Sequence, residues 1–295
     1  MKGYFASWIA REETVKVSVK SLGKLAHSRR GLAIPVTYLL LFASLIVIVS
    51  ATYGFAIARI SAEAAQFRVS VAKRNMQALD EAIRFVAWSA GGSKTVYMED
   101  CGSLFHSRPL AKNLTIVLTD NQAFSHVVFN GSVGKVLYAL EGLAESNVGL
   151  FVRGDSRTIV GQGAYPVTQL YFAFDKEGEA AQQLVLCYRP MATVLAVGAN
   201  GEAKPLNIIR VYIISLGCSR NFSLYGSFRL KVSVLHVTSA VMRFEFNSSV
   251  SSLALEAVSD NAKTTVWLPV QSGAEGALVS IETYVCYVKL EAVNP

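Results

Sequence analysis

The pattern of apolar and polar positions divides this chain into three textures. From Leu32 to Ala58 (LAIPVTYLLLFASLIVIVSATYGFAIA), 27 consecutive residues carry no charge, and 14 of them are Leu, Ile, Val or Phe. At about 1.5 Å rise per residue such a helix reaches roughly 40 Å, more than the ~30 Å hydrocarbon core of a bilayer. The stretch therefore predicts a transmembrane helix over residues 32–58. At about −0.3 to −0.6 kcal/mol per large apolar residue, insertion gains roughly 4 to 8 kcal/mol before Pro35, Gly54 and the hydroxyls are subtracted.

The second texture is helical but one-sided. Ile60 to Trp88 contains no Pro or Gly and is built mostly from good helix formers. At about 100° per residue, Ile60, Ala64, Phe67, Val71, Ala78, Leu79, Ile83 and Val86 share one broad side. Glu63, Lys73, Arg74, Asp80, Glu81 and Arg84 take the other, with Arg68 the exception. An amphipathic extension over 59–92 is expected, ended by Gly91-Gly92.

From Ser93 onward short runs rich in Val, Ile, Leu, Tyr and Phe alternate with Gly, Asn, Ser and Asp. Leu114 to Leu118, Val148 to Val152, Gln169 to Phe174, Gln183 to Tyr188, Ile208 to Leu216 and Val279 to Leu290 read as strands. In Ser227 to Val234 (SFRLKVSV), Phe228, Leu230, Val232 and Val234 share one face while Arg229, Lys231 and Ser233 share the other, as in a half-buried antiparallel strand. Val133 to Ser146 is expected as a short helix. The fold class expected is α+β: a long N-terminal transmembrane and amphipathic helix, then an antiparallel, sandwich-like β domain over 93–295. The segment 198–205 (GANGEAKP) is either a boundary between two β subdomains or a hairpin turn.

Charge sets the expected orientation. The leader, residues 1–31, holds Lys2, Arg11, Lys16, Lys20, Lys24, Arg29 and Arg30 against Glu12 and Glu13, while the whole chain is +7. An excess of Lys and Arg on one flank places that flank in the cytoplasm and the C-terminal domain outside. The high isoelectric point thus follows from topology, and with no nucleic-acid-binding motif beside it, no nucleic-acid partner is expected. A cleaved secretory signal is the competing reading, with Ala56-Ile57-Ala58 as its A-x-A pattern. Its apolar core would normally run about 7 to 15 residues, far shorter than this one.

An external domain fits two further features. Four N-x-[ST] sequons, at Asn113, Asn130, Asn221 and Asn247, lie beyond the apolar run as possible glycosylation sites. Cys101, Cys187, Cys218 and Cys286 also lie there, an even number that allows three pairings into disulfides. Cys187 and Cys286 stand in apolar, strand-like contexts, so free buried thiols are the alternative.

Enzymatic motifs are poorly represented. Gly154-Asp155-Ser156 has the form of a hydrolase nucleophile block, but no D-x-x-H follows, and a turn accounts for it. Asp100, Cys101 and His106 sketch part of a metal site without the further ligands it needs. The other histidines, His27, His126 and His236, are scattered. No catalytic residue, metal or cofactor is expected.

Arg29-Arg30-Gly31 followed by Leu32-Ala33-Ile34-Pro35-Val36, a long apolar run, an amphipathic helix and a β domain resembles archaeal type IV prepilins and pilin-like proteins. The resemblance covers residues 28–92 and the general layout of the rest. It implies that a membrane prepilin peptidase cuts between Gly31 and Leu32, and that the freed helix packs against copies of itself or related subunits. Position five of the mature chain would be Val36, not the acidic residue of bacterial pilins. The chain is also large for a major pilin, which suits a minor or accessory subunit of a filament or pseudopilus. The alternative is a permanently anchored, single-pass surface protein whose β domain binds an envelope or S-layer partner.

Overall fold

The computed structural model describes residues 33–87, 89, 91–120, 124–140, 149–161, 163, 166–174, 182–197, 204–260 and 262–293. The chain divides into two compact units, Met1–Ser61 and Ala62–Pro295.

One helix, α1 (Ala33–Ala87), accounts for all described residues of the first unit. Pro35 lies in its first turn, where a missing N–H costs no intrahelical hydrogen bond. Arg84 in the last turn suits the negative end of the helix dipole. The helix stops at Ala87, short of Gly91-Gly92, and the turn that follows is closed by Ser89 N–H to Val86 O at 2.9 Å and by Gly91 at φ +70°.

The second unit adds 15 described strands. They are β1 (Ser93–Met98), β2 (Leu104–Arg108), β3 (Asn113–Thr119), β4 (Ser125–Ser132), β5 (Lys135–Leu140), β6 (Phe151–Arg153), β7 (Thr168–Phe174) and β8 (Gln182–Tyr188). There follow β9 (Met191–Val197), β10 (Leu206–Ser215), β11 (Phe222–Leu224), β12 (Phe228–Phe246), β13 (Ser252–Ser259), β14 (Ala262–Pro269) and β15 (Ala277–Val293). A long sheet runs β1-β12-β15-β10-β9, a six-stranded sheet β11-β2-β5-β8-β7-β6, and a four-stranded sheet β14-β13-β3-β4.

Pairing is mostly antiparallel, as expected, but β10 and β15 run parallel from Leu206↔Leu278 to Ser215↔Tyr287. The chain between them makes β11 to β14, the long crossover that a parallel pair requires. The short helix expected over 133–146 is not formed in its described part. Lys135–Leu140 is a strand between β2 and β8, with Val136, Tyr138 and Leu140 buried, so its pairing on both sides overrides the local helical reading. The segment 198–205 is flanked by an antiparallel pair, Val197↔Leu206.

Two apolar cores form, on opposite faces of the long sheet. The first takes Val69, Ala72, Met76, Leu79, Ile83 and Val86 of α1, with Phe105, Tyr138, Leu170, Leu186 and Tyr188 of the six-stranded sheet and Leu230, Val232, Ile214, Cys286, Val288 and Leu290 of the long sheet. The helical positions recur every three or four residues, one stripe of an α-helix. The second takes Leu114, Ile116, Leu253 and Leu255 of the four-stranded sheet with Ile209, Val211, Ile213, Val279, Ile281 and Val285 of the long sheet.

Side chains alternate across a strand, so a core that changes face needs two consecutive inward residues. β10 supplies Ile213-Ile214 and β15 supplies Val285-Cys286, and these pairs lie side by side in the register. β12 solves the same problem differently. It keeps its even-numbered residues inward on both sides of the switch, Val232 and Val234 toward the first core and Met242 and Phe244 toward the second, by inserting Leu235 as a bulge between Val234 and His236.

Candidate functional site

Pro35 to Ile60 of α1 is exposed at every position, including Leu39, Phe42, Ile48, Tyr53 and Phe55. Two hydroxyls within it, those of Ser44 and Thr52, are turned back on the helix. Ser44 donates to Leu41 O at 2.8 Å and Thr52 to Val49 O at 3.1 Å, so neither needs an external partner. All backbone groups of a helix interior are likewise satisfied within the segment, which a lipid environment demands. Among the described residues this is one helix long and apolar enough to cross a membrane.

Within the second unit the helix is docked by polar contacts that helical periodicity does not reveal. Asp80, assigned above to the solvated side, is fully buried. Its Oδ1 accepts from Thr168 Oγ1 at 2.6 Å and Tyr188 OH at 3.0 Å, and its Oδ2 from Arg153 Nη1 at 2.9 Å, with Arg84 Nε at 3.2 Å. Strands β6, β7 and β8 thus converge on one helical carboxylate. Burial, and then the Asp80 carboxylate, push the Tyr188 phenol far above its ordinary value, so it remains a donor. Conversely, Ile60 and Phe67, assigned to the apolar side, are 66% and 68% exposed: the buried stripe begins only at Val69.

Asn75 provides a second clip. Its Nδ2 donates to Glu99 O at 2.8 Å and its Oδ1 accepts from Glu99 N–H at 3.1 Å, as a neighbouring strand would. Arg74 forms an ion pair with the Glu99 carboxylate.

A third polar centre sits on the six-stranded sheet. The Gly154-Asp155-Ser156 segment is a turn whose carboxylate binds the buried Arg189 and, at 2.9 Å, Arg157 Nη2. These contacts, Arg189 first, hold the Asp155 carboxyl well below its ordinary range. Gly154 has φ +82°, and a Cβ there would meet Thr168 O at 2.4 Å. Arg189 spends its remaining donors on Pro166 O and Arg157 O.

The residues singled out from sequence are placed as follows. Arg29, Arg30, Gly31 and Leu32 lie outside the described residues. The expected disulfide is not formed, and Cys101, Cys187, Cys218 and Cys286 are all free thiols, three of them buried. Cys101 and Cys286 pack into the first core, whereas Cys187 contacts Lys112. Burial raises the Cys101 thiol and pushes Cys286 up to about 11.

Asn113, Asn130, Asn221 and Asn247 are all exposed. The first two sequons face each other across β3 and β4, Asn113 opposite Ser132 and Thr115 opposite Asn130. Asp100 Oδ1 accepts from Gly102 N–H at 2.7 Å and His106 bonds Ser223 at 2.7 Å. Among the described residues no group of three His, Cys, Asp or Glu is arranged to hold a metal. No protein-family model, curated protein or solved structure matches this chain.

Proposed function

We propose that this chain is a membrane-anchored, pilin-like subunit of a type IV filament or pseudopilus, in a minor or accessory role. One observation carries the reading: α1 is a single helix, Ala33–Ala87, uncharged and exposed from Pro35 to Ala58 and then bearing a buried stripe and buried polar clips from Val69 onward. An exposed apolar helix face is stable only in lipid or against other apolar helices, and assembly exchanges one for the other. The leader stays cytoplasmic, the sandwich-like β domain faces outward, and a prepilin peptidase acts between Gly31 and Leu32. Partners are the membrane and copies of this or related subunits through the N-terminal helix.

The second reading is a permanently anchored surface protein whose β domain binds an envelope or S-layer partner. It is favoured by Leu235, Val237 and Val241, aliphatic side chains of β12 that are each more than half exposed. Determining the N-terminal residue of the mature protein separates the two. Leu32 supports the filament subunit, and a start near Met1 supports the permanent anchor.

A further inference from the structure

Lys112, Gln169 and Cys187 come from three separate parts of the chain and meet in its interior. Gln169 on β7 and Cys187 on β8 are directly opposite in the antiparallel register, and Lys112 reaches them from the residue just before β3. The Gln169 amide has a defined orientation. Its Nε2 donates to Asp155 O at 2.8 Å and Arg157 O at 2.9 Å, which turns Oε1 toward Lys112 Nζ at 2.9 Å and Cys187 Sγ at 3.5 Å. Lys112 Nζ lies 3.1 Å from Cys187 Sγ.

Lys112 is only 8% exposed and Cys187 is fully buried. Among the described residues no carboxylate forms an ion pair with this lysine. Burying an ammonium is unfavourable unless an opposite charge compensates it, and a neutral amide and a thiol compensate poorly. The arrangement therefore costs stability, and it places an amine in bonding range of a sulfur. A cavity of about 390 Å³, lined by Lys112, Gln169, Tyr171, Ser156 and Asp260, reaches the Lys112 and Gln169 side of this cluster, with Cys187 one contact behind them.

We propose that Cys187 and Lys112 form a covalent sulfur–nitrogen bridge when the protein meets a peroxide. The thiol attacks the peroxide, the O–O bond breaks, and Cys187 becomes a sulfenic acid with release of one water; sulfur loses two electrons and the peroxide gains them. Lys112, as the free amine, attacks the sulfenyl sulfur. The S–O bond breaks, the hydroxyl leaves as a second water with a proton from the amine, and a sulfenamide remains. Thiol, amine and peroxide thus give sulfenamide and two waters. The bond ties the segment leading into the four-stranded sheet to β8 of the six-stranded sheet, a cross-link in a domain whose cysteines form no disulfide. It does not depend on the filament reading.

The test uses the full-length protein in detergent, treated with hydrogen peroxide, denatured without reductant, alkylated and mapped by mass spectrometry. Expected is a peptide joining Lys112 to Cys187, lighter than its two parts by two hydrogens, with trypsin failing to cut after Lys112. Dithiothreitol should release it and restore the fourth alkylatable thiol. In Lys112→Arg the joined peptide should be absent, with Cys187 left as a thiol or carrying oxygen. The proposal is overturned if the wild type gives no joined peptide while Cys187 is alkylated or holds only oxygen. Capture of Cys187 by another amine to the same extent in Lys112→Arg also overturns it.

Discussion

Ile214 on β10 and Cys286 on β15 stand side by side in a parallel pair and both pack into the first core, while their immediate predecessors, Ile213 and Val285, pack into the second. The line through these residues is where the long sheet changes its buried face. It is what allows one sheet to serve two cores, and it dictates how each strand tolerates insertion and deletion.

On β12 the crossing is made by Leu235, which has no partner in the register and is 54% exposed. Deleting it brings Val234 and His236 together opposite Val288 and Tyr287, so every other pair and every side-chain direction is kept. The deletion should cost no more than about 2 kcal/mol in urea unfolding. β15 has no spare residue. Removing Thr283 shifts one half of the strand by one position and turns its inward set outward, so cooperative unfolding should be lost.

What was legible in the sequence is what is local. The uncharged run to Ala58 and the alternation from Phe228 to Val234 declare themselves by period alone. The face switch is not local: Val285-Cys286 reads as part of a plain apolar run, and only its neighbour Ile213-Ile214 shows that the two residues belong to different cores. Lys135–Leu140 misleads for the same reason, because its pairing on both sides decides the structure. Of the candidate site, the apolar helix is legible and its polar docking is not. Asp80 with Arg84 at i+4 reads as a solvated pair, and the partners that bury it, Thr168 and Tyr188, are 88 and 108 residues away in sequence.

That burial makes Asp80 a sensitive position. Alanine there leaves Tyr188 OH and Thr168 Oγ1 without their acceptor, while Arg153 and Arg84, each about one third exposed, can turn to water. Asp80→Ala should therefore fall near the low end for a broken buried pair, about 3 kcal/mol. Tyr188→Phe removes one donor and leaves the carboxylate its others, so about 1 to 2 kcal/mol is expected. Equal losses in denaturant unfolding of the two variants would contradict this ranking.

Asp155 gives a pH signature. Its carboxyl is held below its ordinary range by Arg189, so its contribution is fully present above the unfolded carboxyl pKa of about 4 and is lost as pH falls through the lower folded value. The difference in Tm between wild type and Asp155→Asn should hold steady from pH 7 to about pH 5 and narrow below about pH 4. A difference that widens toward acid would reverse the assigned sign.

With all four cysteines free, protein kept from oxidants should take up four alkyl groups after denaturation without reductant. In the native state Cys218, the half-buried one, should react first. Cys286 should be slow, since burial holds its thiol near 11 and leaves about one thiolate in a thousand at pH 8. Fewer than four alkyl groups would point to a disulfide that the structure lacks.

The most consequential prediction concerns Gly31, where the filament subunit and the permanent anchor diverge. A peptidase working at the membrane face must draw the chain into a narrow site, and a glycine before the scissile bond presents no side chain to obstruct it. With the leader goes a flank of seven basic residues against two acidic ones. Nothing charged then pins the segment before Arg59, and it is free to leave lipid for an equally apolar bundle of helices. If the chain is a filament subunit, Gly31→Val should leave the leader attached, raise the mass of the mature protein by that of the leader, and abolish assembly while the β domain folds normally. If the variant has the wild-type mass and the wild type begins near Met1, no cleavage occurs, and the β domain is displayed on a permanent anchor.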